Sequence, residues 1–268
     1  MTISIPQAPS PFLCNQAVKK REPERRLVVY DRGCPAADQV QAYGRYLSRL
    51  LETPVNSDEC TSGMDASLSD LFAKAACSHD LLIFGEPTQS PVRRLLFGPA
   101  GCQVARRASM SVLIARQGRW PLKKILLVAR SHTLDEAAVE WAIRLAQPSE
   151  ALITVLAIVP PMPAMYQRAM TSMPNGLADW LVTDTPLGDQ LRCIARRLAN
   201  WERAGELHFR QGPPDRQIRD EIIAGDHDLV IIAADSCNWW SRRLLGVVIP
   251  SLLRWADRPV LVAKPMIA

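Results

Sequence analysis

The chain has 268 residues, 48% of them apolar and 22% charged, which is the composition of a globular protein and not of a disordered chain. Proline (21) outnumbers glycine (13), which excludes a collagen-like repeat and argues against glycine-rich linkers and phosphate-cradling loops. The 32 basic and 27 acidic residues leave a formal charge of +5, too small an excess to point to nucleic acid by itself.

In chain order, residues 1–24 read as a flexible arm, because prolines at 6, 9, 11 and 23 bracket the basic run Lys19, Lys20 and Arg21 without periodicity. Short apolar runs then alternate with segments of helical spacing. In the first half the predicted strands are Arg26 to Tyr30, Asp80 to Phe84 and Val112 to Ala115, with one further strand-like stretch at Thr53 to Asn56. The predicted helices there are Ala36 to Leu51 and Leu68 to Cys77. In the second half the strands are Lys124 to Ala129, Ala151 to Val159, Leu207 to Arg210, Asp228 to Ala233 and Val260 to Ala263, and the helices are Leu134 to Ala146, Leu187 to Ala204 and Asp215 to Ala224. Continuous apolar strands between amphipathic helices predict a doubly wound α/β fold, a parallel sheet covered on both faces.

An internal repeat divides the chain. At a shift of 148, His79-Asp80-Leu81 falls on His227-Asp228-Leu229, Gly98 on Gly246, Arg106 on Arg254 and Val112-Leu113 on Val260-Leu261. Twelve of the thirty-eight positions from 79 to 116 match without a gap, so two copies of one domain are expected. Their bounds are 25–117 for a shortened first copy and 122–265 for a complete second one. The segment 160–186, with Met162, Met165, Met170 and Met173 among its prolines, reads as a capping loop after the second strand of the larger copy or as a docking surface for a protein partner.

Three stretches of the second copy carry a family likeness: KKILLVARSHTLDEAAVEWAIRLA, the Gly-x-Pro turn of QGPPDRQI at Gly212 and Pro214, and HDLVIIA with SRRLLG and RPVLVAKP after it. In that order they resemble the universal stress protein domain, and the chain as a whole is similar to a tandem member of that family. The resemblance implies two α/β domains whose last strands pair antiparallel, a homodimer and a non-enzymatic stress-response role in the cytoplasm. ATP-binding members carry G-x2-G-x9-G-[S/T] after the fourth strand and an Asp ending the first. Carried over position by position, the first copy has Asp31, Gly85, Thr88 and Gly98, followed by Pro99, which offers no N–H and no hydroxyl. The second has Arg130, Ala233, Ser236, Gly246 and Val247, a more degraded set. ATP is therefore expected to be absent as a resident cofactor. The rival reading makes the first copy an ATP sensor.

Arg94 and Arg242 are repeat-equivalent and are candidate anion contacts or structural ion-pair partners. With the basic arm they define a third reading, binding of a polyanion or nucleic acid. His79 and His227 precede equivalent strands and read as structural. No catalytic residues emerge, because the P-loop, dinucleotide and nucleophile-elbow motifs are all missing. No metal site emerges either, since Cys77-x-His79 has nothing nearby to complete it. Seven scattered cysteines without a CxxC pair fit reduced thiols. No apolar run is long enough to predict a membrane span.

Overall fold

The computed structural model describes residues 26–31, 33–56, 81–88, 100–130, 136–159, 182, 184, 186–199, 205–234 and 248–264. Its elements in chain order are β1 (Leu27–Tyr30), α1 (Ala37–Leu51), β2 (Val55–Asn56), β3 (Leu81–Gly85), α2 (Ala100–Arg107) and β4 (Ser111–Ala115). They continue with β5 (Lys124–Arg130), α3 (Glu136–Ser149), β6 (Leu152–Val159), α4 (Pro186–Ala199), β7 (Glu206–Gln211), α5 (Pro214–Gly225), β8 (Leu229–Ala233), α6 (Val248–Trp255) and β9 (Val260–Ala263). Every strand predicted from its apolar run is present within a residue or two. The helix expected at Leu68 to Cys77 and most of the 160–186 segment lie outside the described residues. Helices α2 and α6 were not legible from periodicity. Each has only eight residues, about two turns, too few to establish a 3.6-residue pattern.

The nine strands form one sheet in the order β2-β1-β3-β4-β9-β8-β5-β6-β7. All neighbours are parallel except β4 and β9, which meet antiparallel with Leu113 opposite Leu261. This is the pairing expected between Val112 to Ala115 and Val260 to Ala263. It buries two edges that would otherwise offer unpaired backbone groups. Counted outward from that central pair, the two halves share one strand order. The second half adds β7, for which the described residues of the first hold no counterpart.

Successive strand residues point to opposite faces, and both faces are apolar. Leu27, Val29, Leu81, Ile83, Ile125, Leu127 and Ile231 pack under α1 and α3, while Val28, Leu82, Phe84, Leu126, Val128 and Ile232 pack under α2, α5 and α6. In α1, Val40, Tyr43 and Leu47 recur at three- and four-residue spacing and are all buried. A fully buried Leu, Ile or Val side chain contributes roughly 1.5–3 kcal/mol relative to exposure. Burial on both faces therefore helps to hold the sheet together.

Side chains reinforce the junction reciprocally. Arg116, just past β4, donates to the carbonyls of Leu253 and Ala256 at the end of α6. Lys264, just past β9, donates to the carbonyl of Ala108 at the end of α2. Positions 116 and 264, and likewise 108 and 256, are repeat-equivalent. Each half thus sends a cation to the negative, carbonyl-rich end of the other half's last helix.

Candidate functional site

In a doubly wound sheet, ligands gather outside the carboxyl ends of the strands, where the chain turns into its helices. In the first half that place lies past β1 and β3. Asp31 follows β1, and its Oδ2 accepts a hydrogen bond from Gln41 Nε2 at 2.8 Å. The turn continues through Gly33 at φ 67°, a left-handed backbone that glycine adopts without strain. Cys34 N donates back to Asp31 O at 2.9 Å. Thr88 lies past β3, exposed, and its N–H donates to Gly33 O at 3.0 Å. The two loops therefore close on each other. A Cβ on Gly85 would sit 2.9 Å from Val40 Cγ2 and 3.0 Å from Cys34 Sγ. Gly85 thus serves the close packing of the β1 turn against β3.

The next residue, Glu86, was not singled out in the sequence. Its Oε1 accepts from Gly101 N at 3.4 Å, in the first turn of α2, and its Oε2 accepts from Arg116 Nη2 at 2.9 Å. Free N–H groups and the macrodipole make a helix N-terminus attractive to anions. Here the chain's own carboxylate lies against that position. Arg116 holds it there while also gripping the end of α6. The repeat contained a signal for Arg116, since the equivalent position carries another cation, Lys264. Glu86 had none, because its equivalent is Ala234.

In the second half, Arg130 ends β5 and Ala233 ends β8, with Ala233 nearly buried. Gly98, Arg94, Ser236, Arg242, Gly246 and Val247 lie outside the described residues. The Gly-x-Pro turn is present, with Gly212 at φ 140° and Pro214 opening α5.

Sequence reasoning also missed a polar cluster beside β7. Glu221 on α5 is 2% exposed, and its carboxylate accepts from His208 Nδ1 at 2.7 Å and from Arg210 Nε and Nη2 at 2.8 and 2.7 Å. Burial alone would raise its pKa, but the hydrogen bonds from His208 and Arg210 outweigh it and hold the carboxyl below its ordinary value. His227, also 2% exposed, has no hydrogen-bond partner on either ring nitrogen among the described residues. Burial lowers its pKa, Lys124 and His208 add to that, and Glu221 and Asp228 oppose it. The unfolded chain therefore takes up this proton first. Stability should fall as pH drops below about 6.5, the ordinary histidine value, toward the lower folded value. The loss on Glu221 comes separately, below about 4.5. Urea midpoints between pH 8 and pH 5 should slope downward with acid, and His227→Asn should flatten that slope. An unchanged slope in the variant would remove His227 as its source.

Among the described residues no group of three His, Cys, Asp or Glu side chains is placed to hold a metal ion. Cys34, Cys102 and Cys193 are free, and burial pushes the Cys102 thiol up to about 11, far from a reactive thiolate. Among the described residues no helix is long and apolar enough to cross a membrane.

A mostly parallel sheet with helices on both faces and candidate mouths at the strand ends defines a doubly wound α/β protein. The family model of the universal stress protein family matches residues 121–264, more than half of the chain, and the protein belongs to that family. Among curated proteins no relative matches. Among solved structures, a universal stress protein from Archaeoglobus fulgidus DSM 4304 is 14% identical, with 90% of this chain and 96% of that one covered at a TM-score of 0.53. A functionally unknown protein from Pseudomonas aeruginosa PAO1 is 20% identical over 90% of this chain and 82% of that one, at 0.55. A putative universal stress protein from Pseudomonas aeruginosa UCBPP-PA14 is 19% identical over the same shares, at 0.53. At these identities the likeness speaks for the fold.

Proposed function

We propose that this chain is a tandem universal stress protein, a non-enzymatic regulatory module of the cytoplasm with domains at 25–117 and 122–265, in which the nucleotide site has largely been lost. The observation that carries the loss is Glu86: an intramolecular carboxylate lies at the N-terminus of α2, fixed by Arg116. A phosphate arriving there would meet a negative charge and a helix end already partnered. Gly85, packed on Cys34 and Val40, adds to the case. Support for the tandem reading comes from the shared strand order and from the reciprocal contacts of Arg116 and Lys264. Homodimerisation through the 160–186 segment or the helices of the second domain belongs to the same proposal.

A nucleotide sensor acting through Asp31, Gly85, Thr88 and Gly98 is the competing reading, favoured by the position of Asp31 at the carboxyl end of β1. Thermal unfolding with and without millimolar ATP and Mg²⁺ decides between them. A ligand that binds only the folded state must raise stability by RT ln(1 + [L]/Kd). No Asp31-dependent rise in the midpoint is expected. A rise that Asp31→Ala abolishes would establish the sensor instead.

A further inference from the structure

A second concave surface lies away from the carboxyl ends of β5 and β8, where the linker between the halves meets the beginnings of those two strands. It forms an open groove of about 480 Å³ walled in part by Arg119, Trp120, Lys123, Lys124, Asp226 and Asp228, within the usual size range of small-molecule sites. Both carboxylates are already engaged. Asp228 accepts from the backbone N–H groups of Lys123 and Lys124 at 2.8 and 3.0 Å. Asp226 accepts from Arg119 at 2.6 Å and from Arg258 at 3.1 Å, and the Arg119 hydrogen bond leads the effects that hold its carboxyl below its ordinary value.

Three basic side chains, Arg119, Lys123 and Lys124, thus stand against two acids in the lining. Lys124 spends one donor on Gly225 O at 3.0 Å, and an ammonium has three. The Lys123 side chain is exposed. The local balance favours an anion.

The aromatic wall adds a shape requirement. Trp120 is 43% exposed while its ring packs on Tyr43 at a centroid distance of 5.8 Å. An indole packed on a buried tyrosine and still partly open to solvent offers a face for stacking. Among the described residues the buried hydroxyl of the neighbouring Tyr43 has no hydrogen-bond partner. From these features we propose that the junction binds a small planar anion, an aromatic ring carrying a carboxylate or a phosphate. The ring stacks on Trp120, and the charge lies against Lys123, Lys124 and Arg119.

Calorimetric titration of the full chain at low salt, with salicylate and AMP as the probes, tests this. One saturable site per chain for either probe is expected, with affinity falling as salt rises. Binding of salicylate alone selects ring carboxylates, and binding of AMP alone selects nucleotides. Trp120→Ala and Lys123→Glu should each weaken binding about tenfold or more. Lys123 is exposed and its backbone N–H is untouched, so that variant tests the charge even if Trp120→Ala unfolds. Glu86→Gln should leave the salicylate affinity unchanged, which separates this site from the mouth at β1 and β3. No saturable binding of either probe overturns the proposal, as does full affinity in Lys123→Glu.

Discussion

Replacing Arg116 by methionine should destabilise the protein by about 2–3 kcal/mol, the cost of stranding partners that a nearly buried guanidinium satisfies. The side chain is 14% exposed and serves Glu86 together with the carbonyls of Leu253 and Ala256. Methionine fills similar volume but donates nothing. Among the described residues the Glu86 carboxylate would keep only its long bond to Gly101, and two carbonyls at the end of α6 would lose their donor. Arg116→Lys should recover part of the loss, because an ammonium is a point charge and cannot reproduce a planar fork. Urea denaturation monitored by circular dichroism measures both variants. A loss below about 0.5 kcal/mol, the ordinary range of surface substitutions, would mean that Arg116 does not clamp the two halves.

Gly225→Ala should cost about 2–3 kcal/mol through overpacking. A Cβ there would land on the His227 ring, with Nε2 nearest and Cδ2 and Cε1 both at 2.8 Å. The ring is 2% exposed, so it has no solvent to swing into. Glycine is kept at the end of α5 by the closeness of that imidazole. Adding His227→Ala to Gly225→Ala should restore part of the stability, giving a non-additive double-mutant cycle. Simple additivity would show that the two residues do not press on each other.

How far the sequence could be read follows from particular residues. Runs such as DLLIF and DLVIIA have one interpretation once the helices between them are recognised, because only strands buried on both faces are apolar without alternation. The repeat at a shift of 148 predicted two similar halves, and the resemblance it supported predicted the contact of β4 with β9. Helix α2 escaped because eight residues hold too little periodic signal. Glu86 escaped because an acid after a strand is unremarkable until the chain folds an arginine thirty residues later onto it.

Which segments become strands and how the chain repeats were legible in the sequence alone, as was the scarcity of glycine at the positions that match the family's phosphate loops. These properties reside in residue type and spacing, and they survive in any conformation. Folding settled which distant side chains meet at the strand ends and at the junction. It placed Glu86 at the start of α2, Cys34 and Val40 against Gly85, and Tyr43 against Trp120 at the junction. Each is a contact between residues distant in the chain, set by loop closure and side-chain packing, which composition and periodicity do not encode.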